Sequence, residues 1–93
     1  MYYLVQTEDT ENSEIIRKAN RLDHHTWLRN TTEVNVHMAG PWLDGEKMMG
    51  SVMIIECDSE EQVRAWLAKD PFNELGIVGS VKITPFTWTV NKP

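Results

Sequence analysis

Apolar and polar residues along this chain change period four times, and each change marks an element. Tyr2 to Thr7 is rich in β-branched and aromatic residues and leaves through Glu8-Asp9-Thr10, which predicts a first strand. A first helix is predicted from Asn12 or Ser13, both good caps, with Glu14 meeting the positive helix end. It runs through Ile15, Ile16, Ala19, Leu22 and Leu28 to about Asn30. Val34, Val36 and Met38 then alternate with Asn35, His37 and Ala39, the period of a second strand. Gly40 to Gly45 is turn-rich, and Asp44-Gly45 is a strong hairpin signal.

The third strand, Met48 to Cys57, is apolar at nearly every position through Ile55. A second helix is predicted from Ser59, where Gln62 completes a capping-box pattern. Its apolar positions are Val63, Trp66 and Leu67, and it should stop at Asp70-Pro71, because proline disfavours helical backbone at the residue before it. The last strand is expected over about Ser80 to Val90, with Pro85 marking an edge or a bulge. The order is βαββαβ: an α+β, ferredoxin-like fold with an antiparallel sheet and two helices on one face.

The third strand bears on assembly. Met48, Val52 and Ile54 share one face, and Met49, Met53 and Ile55 the other, so both faces need cover. Two helices cover only one side of a sheet. A second copy packed sheet to sheet is the economical cover for the other.

Composition narrows the classes. The 93 residues fit one domain over 1–93, small enough to gain from self-association. A net charge of −5 argues against nucleic acid and anionic membrane as partners. No apolar run approaches the ~20 residues of a membrane span, and the first residues do not read as a signal peptide. The single Cys57, beside Ile54 and Ile55, excludes an internal disulfide, fits a reducing cytoplasm and reads as a small hydrophobe.

Chemistry concentrates in Ala68 to Gly76. Asp70 follows Val63 by seven residues and Trp66 by four, which turns it toward the packed face. There it would sit at the negative end of the second helix, an unfavourable place for an anion and one way to make a proton-transfer group. His24, His25 and His37 lack the spacing of a zinc site, and no phosphate loop, nucleophile elbow or dinucleotide fingerprint is present. Periodicity leaves the first helix's orientation open. Ile15, Ala19, Leu22 and Thr26 form one stripe nearly opposite His24, while Arg21, His24, His25 and Leu28 form another.

Five segments carry a resemblance: Arg21-Leu22-Asp23-His24, Ala39-Gly40-Pro41, Gly50-Ser51, Asp70-Pro71-Phe72 and Val81 to Phe86. Together, in this order, they resemble the YciI-like (YCII-related) family over nearly the whole chain. The resemblance implies a dimeric α+β barrel, two ferredoxin-like sheets face to face, with a histidine and an aspartate at the active site. By motif those are His24 and Asp70, with His25 where the family usually has leucine. Arg21 and Ser51 stand as candidate substrate-binding residues, as does Trp42, which with Met49, Met53 and Trp88 is a candidate for an apolar pocket wall.

The dyad implies proton transfer on a small organic or aromatic-derived acid or phenol: elimination, isomerisation or dehydrohalogenation. No cofactor or metal is expected, and the expected partners are a small-molecule substrate and further copies of the chain. The competing reading is a non-catalytic module that binds a metabolite or a partner protein. A monooxygenase reading shares the barrel fold but finds no motif of its own.

Overall fold

The computed structural model describes residues 1–93. Its elements are β1 (Tyr2–Asp9), α1 (Glu14–Asn30), β2 (Asn35–Asp44), β3 (Lys47–Glu56), α2 (Glu60–Leu67), α3 (Pro71–Glu74) and β4 (Val78–Phe86). The strands form one antiparallel sheet in the order β2-β3-β1-β4, the arrangement of a ferredoxin-like fold. No helix is long and apolar enough to cross a membrane.

Three boundaries differ from the sequence reading. β2 continues through Gly40-Pro41-Trp42-Leu43, because it is an edge strand and the missing N–H of Pro41 interrupts no inner ladder. The turn itself is Gly45-Glu46, with Gly45 at φ +61°. The second helical region is two helices: α2 ends at Leu67, and Pro71 opens α3 from its first position, where no N–H is needed. β4 ends at Phe86, so Trp88 lies beyond it; the strand is the other edge of the sheet and pairs with β1 past Pro85.

Tyr3, Val5, Met53, Ile55 and Ile83 face the helices and are buried against Val34, Val63, Trp66 and Leu67. The Trp66 indole is fully buried, stacks on Trp27 with centroids 4.5 Å apart and donates to Thr31 Oγ1. At the start of α2, Ser59 Oγ accepts from Gln62 N–H and Gln62 Oε1 accepts from Asp58 N–H, a variant of the expected capping box. Cys57 is half-buried, donates to Ser59 O, and burial pushes its thiol above the ordinary value.

Two one-residue irregularities re-aim side chains. Val36 pairs with Ile55 and Met38 with Ile54, so His37 is an extra residue. Val36 therefore stays on the helix side while Met38 moves to the open face, against simple alternation. The second skips Met49 between Gly50 and Met48, so Met48 turns up beside Ser51 on the helix side.

The open face carries Leu4 and Met38, both exposed, with Val52 and Ile54 half-exposed. At one end Tyr2, His37 and Trp88 cluster edge to face with Phe86 tilted against Tyr2 and Trp88, and a hydrogen bond from His37 holds the Glu56 carboxyl below its ordinary range.

Gly50 is where two strands and a side chain converge. A Cβ there would lie 1.9 Å from the Thr7 carbonyl oxygen and 2.6 Å from Trp42 Nε1, which donates to that same oxygen. Gly50→Ala should therefore cost roughly 1–3 kcal/mol, read as a lower urea midpoint. An unchanged midpoint would mean the strands part freely here. Trp66→Ala should cost roughly 3–5 kcal/mol. An unchanged melting temperature would show that the α2 face is not the core contact.

Candidate active site

α1 settles its own ambiguity along a line that neither stripe describes in full: of Arg21, His24, His25 and Leu28, His24 is buried and Leu28 half-buried, while Arg21 and His25 are exposed. Ile15 and Leu22 are 82% and 74% exposed, whereas Arg17 and His24, two turns apart, are buried. Leu28 and Trp27 supply the apolar part of the same contact. The Ile15, Ala19, Leu22 and Thr26 stripe faces away from the sheet.

His24 Nδ1 lies 2.8 Å from Asp70 Oδ1. His25, the next residue, is exposed and makes no such contact; partial desolvation first, then His24, Arg29, Arg21 and Arg17, push its imidazole below the ordinary value. Asp70 is not in the last turn of α2, as the sequence suggested. Its backbone is extended, and Oδ1 accepts the Phe72 N–H at 3.0 Å, which makes Asp70 the cap of α3. The carboxylate thus meets the positive end of a helical turn, not the negative end of one.

This capping bond also orients the histidine. Oδ1 is an acceptor toward Phe72, so the consistent arrangement has Nδ1–H of His24 donating to it. Nε2 is then the basic nitrogen. It makes no hydrogen bond within the chain and is not sealed from solvent. The ring is fixed from one side by Phe72, parallel within 9° at 4.0 Å, and by Trp27 at 6.1 Å.

His24 opens onto a cavity of about 170 Å³, lined also by Arg17, Arg21, Met48, Ser51 and Phe72. Arg17 gave no motif signal. Its Nη1 bonds both carboxylate oxygens of Asp9 at 2.9 Å, its Nη2 bonds Ser51 Oγ at 2.9 Å, and its guanidinium lies 4.8 Å from the Phe72 ring centre. The spacing of seven to His24 was the one available clue. Because Ser51 Oγ accepts from Arg17, its own O–H is left to donate. Arg21 lines the cavity and forms no ion pair within the chain.

Of the sequence candidates, then, the fold brings together His24, Asp70, Arg21 and Ser51. Trp42 is not among them. It pairs opposite Gly50 and reaches Thr7 O, and does not line the cavity. Met53 is sealed in the core, and Trp88 belongs to the aromatic cluster on the open face. Met48 takes the place in the wall proposed for Met49. No three His, Cys, Asp or Glu side chains converge, so no residues present themselves as metal holders.

Comparison with known proteins bears on the fold and the family. A solved structure of 5-chloro-2-hydroxyhydroquinone dehydrochlorinase from Burkholderia phenoliruptrix, in complex with 2,5-dihydroxybenzoquinone, superposes with TM-score 0.79 at 24% identity, over 94% of each chain. A NIPSNAP domain protein of Burkholderia xenovorans, itself uncharacterised, superposes with TM-score 0.56 at 11% identity, over 99% of this chain and 97% of that one. These two show the fold. An uncharacterised protein of Haemophilus influenzae is 30% identical over 92% of this chain and 96% of its own length. The YCII-related domain model matches residues 1–87, and the chain belongs to that family.

Proposed function

We propose that this chain is a small-molecule enzyme in which His24 Nε2 moves a proton and Asp70 holds the imidazole in the reactive tautomer. One observation carries the reading: a buried His–Asp hydrogen bond of 2.8 Å leaves the far nitrogen free on a cavity. A histidine so held is suited to general base work. Membership of the YCII-related family and the fold shared with a dehydrochlorinase support it.

The reaction class follows from what the cavity offers. No activated nucleophile faces it, so the chemistry is elimination or isomerisation. Nε2 takes a proton from an acidic C–H or O–H, and the freed electron pair forms a new double bond. In an elimination such as dehydrohalogenation, the leaving group departs with the pair of its own broken bond. In an isomerisation the imidazolium returns the proton at a second carbon. Arg21 pairs with an anionic carboxylate or phenolate oxygen, and the Ser51 hydroxyl donates to a neighbouring oxygen. The substrate is a small, oxygen-bearing organic or aromatic acid.

The natural first assay is chloride release from chlorinated hydroxyhydroquinones. His24→Ala and Asp70→Asn should each lower turnover by about 10²–10⁴ with the fold intact. The double variant should be little worse than the worse single one, because the pair acts as a unit. Turnover that survives both substitutions would make the pair structural and leave the chain a binding module.

We infer further that a second copy covers the open sheet face, where Leu4 and Met38 are exposed and the Tyr2, Phe86 and Trp88 rings lie. Sedimentation at micromolar concentration should give a dimer, and Ile54→Lys should shift it toward monomer. A monodisperse wild-type monomer would remove this assembly.

A further inference from the structure

Asp70 stands between two cavities. His24 lines the one already described and Asp70 does not; Asp70 lines a second, of about 190 Å³, and His24 does not. The second lies between the end of α2, α3 and the start of β4, with Leu67, Val78 and Val81 as apolar walls. The hydrogen bond from His24 to Asp70 is the partition between them.

The two oxygens of the Asp70 carboxylate are unequally occupied. Oδ1 accepts from both His24 and Phe72, whereas Oδ2 accepts from nothing in the chain. The residue is 3% exposed, yet Oδ2 is not sealed, and the cavity that Asp70 lines is the second. Two other polar groups line that space. Asn73 spends its amide N–H on Ala68 O, which leaves its side-chain oxygen to accept. Thr7 Oγ1 accepts from Ser51 N–H, which leaves its hydroxyl proton to donate. Arg64 also lines the space, exposed to solvent and paired with Glu60.

A charged acceptor, a second acceptor and apolar walls call for a ligand that brings hydrogen-bond donors and a short hydrocarbon body. The space holds about six waters at ~30 Å³ each, or one small molecule. We propose that this cavity is a second binding site, separate from the His24 cavity, for a small primary alkylammonium ion. Its –NH3⁺ donates to Asp70 Oδ2 and Asn73 Oδ1, and its alkyl chain lies against Leu67, Val78 and Val81. Such an ion binds the back of the same carboxylate that orients His24, so its occupancy is felt at the catalytic pair. The site goes beyond the proposed reaction and is tested without it.

The test is a nuclear magnetic resonance titration of the full chain with three probes of one shape: n-butylammonium, n-butanol and n-butyrate. Butylammonium should shift the signals of Leu67, Val78 and Val81 saturably, with a dissociation constant on the order of 1 mM. Butanol should bind more weakly and butyrate not at all. Asp70→Asn should weaken butylammonium about 10–100-fold, the worth of one hydrogen bond to a buried charge. Val78→Phe, or Val81→Phe should the first not fold, should abolish the shifts by filling the space. Three results would overturn the site: no saturable shift, a preference for butyrate that assigns the cavity to Arg64, or shifts centred on Met48 and Ser51 in the other cavity.

Discussion

One carboxylate oxygen, Asp70 Oδ1, holds the site together by accepting two hydrogen bonds at once. The bond from Phe72 N–H starts α3 and fixes the turn after α2. The bond from His24 ties that turn to the middle of α1. Remove the carboxylate, and a buried imidazole N–H and a backbone N–H both lose their partner, each at the cost of an unsatisfied buried donor. Chain direction, helix docking and imidazole tautomer all pass through this atom. The same residue therefore serves the architecture and, in the proposed reaction, the chemistry, so a loss of activity on altering it has to be read beside a measure of folding.

The second constraint is the inverted amphipathicity of α1. A helix on a sheet ordinarily buries its apolar stripe and leaves polar residues in water. Here Ile15 and Leu22 face outward, while Arg17 and His24 face inward, each held by specific partners. The buried guanidinium is tolerable because Asp9 neutralises it and Ser51 takes a further N–H. Apolar anchoring is left to Trp27 and Leu28 near the end of the helix, where Trp27 stacks on Trp66. Polar contact in place of apolar burial is the arrangement expected where a protein spends stability on a site.

Single-residue irregularities in the sheet do comparable work. Skipping Met49 on β3 puts Met48 into the cavity wall, and the extra His37 on β2 places its ring in the aromatic cluster beside Tyr2 and Trp88. Gly50 lets the Trp42 indole reach across to Thr7, and Thr7 in turn receives Ser51 N–H through its hydroxyl oxygen. Both faces of the sheet are thus coupled at Thr7, whose side chain lines the cavity behind Asp70.

The order of elements was legible in the chain because each depends on neighbours in sequence: β-branched runs for strands, Ser59 with Gln62 for a helix start, Asp44-Gly45 for the hairpin. The inward face of α2 was legible too, since Val63, Trp66 and Leu67 repeat with the helical period. Asp70 was singled out by its register after Val63 and Trp66, His24 only through motif resemblance, and Arg17 escaped because its partners Asp9 and Ser51 lie eight and thirty-four residues away. Which stripe of α1 turns inward was not written in its periodicity, because a polar face can be buried only if distant residues supply its partners. The bulges escaped for a like reason, since register belongs to a pair of strands and not to either one. Local propensity fixed what each segment becomes, and only the packing of distant segments decided which side chains meet.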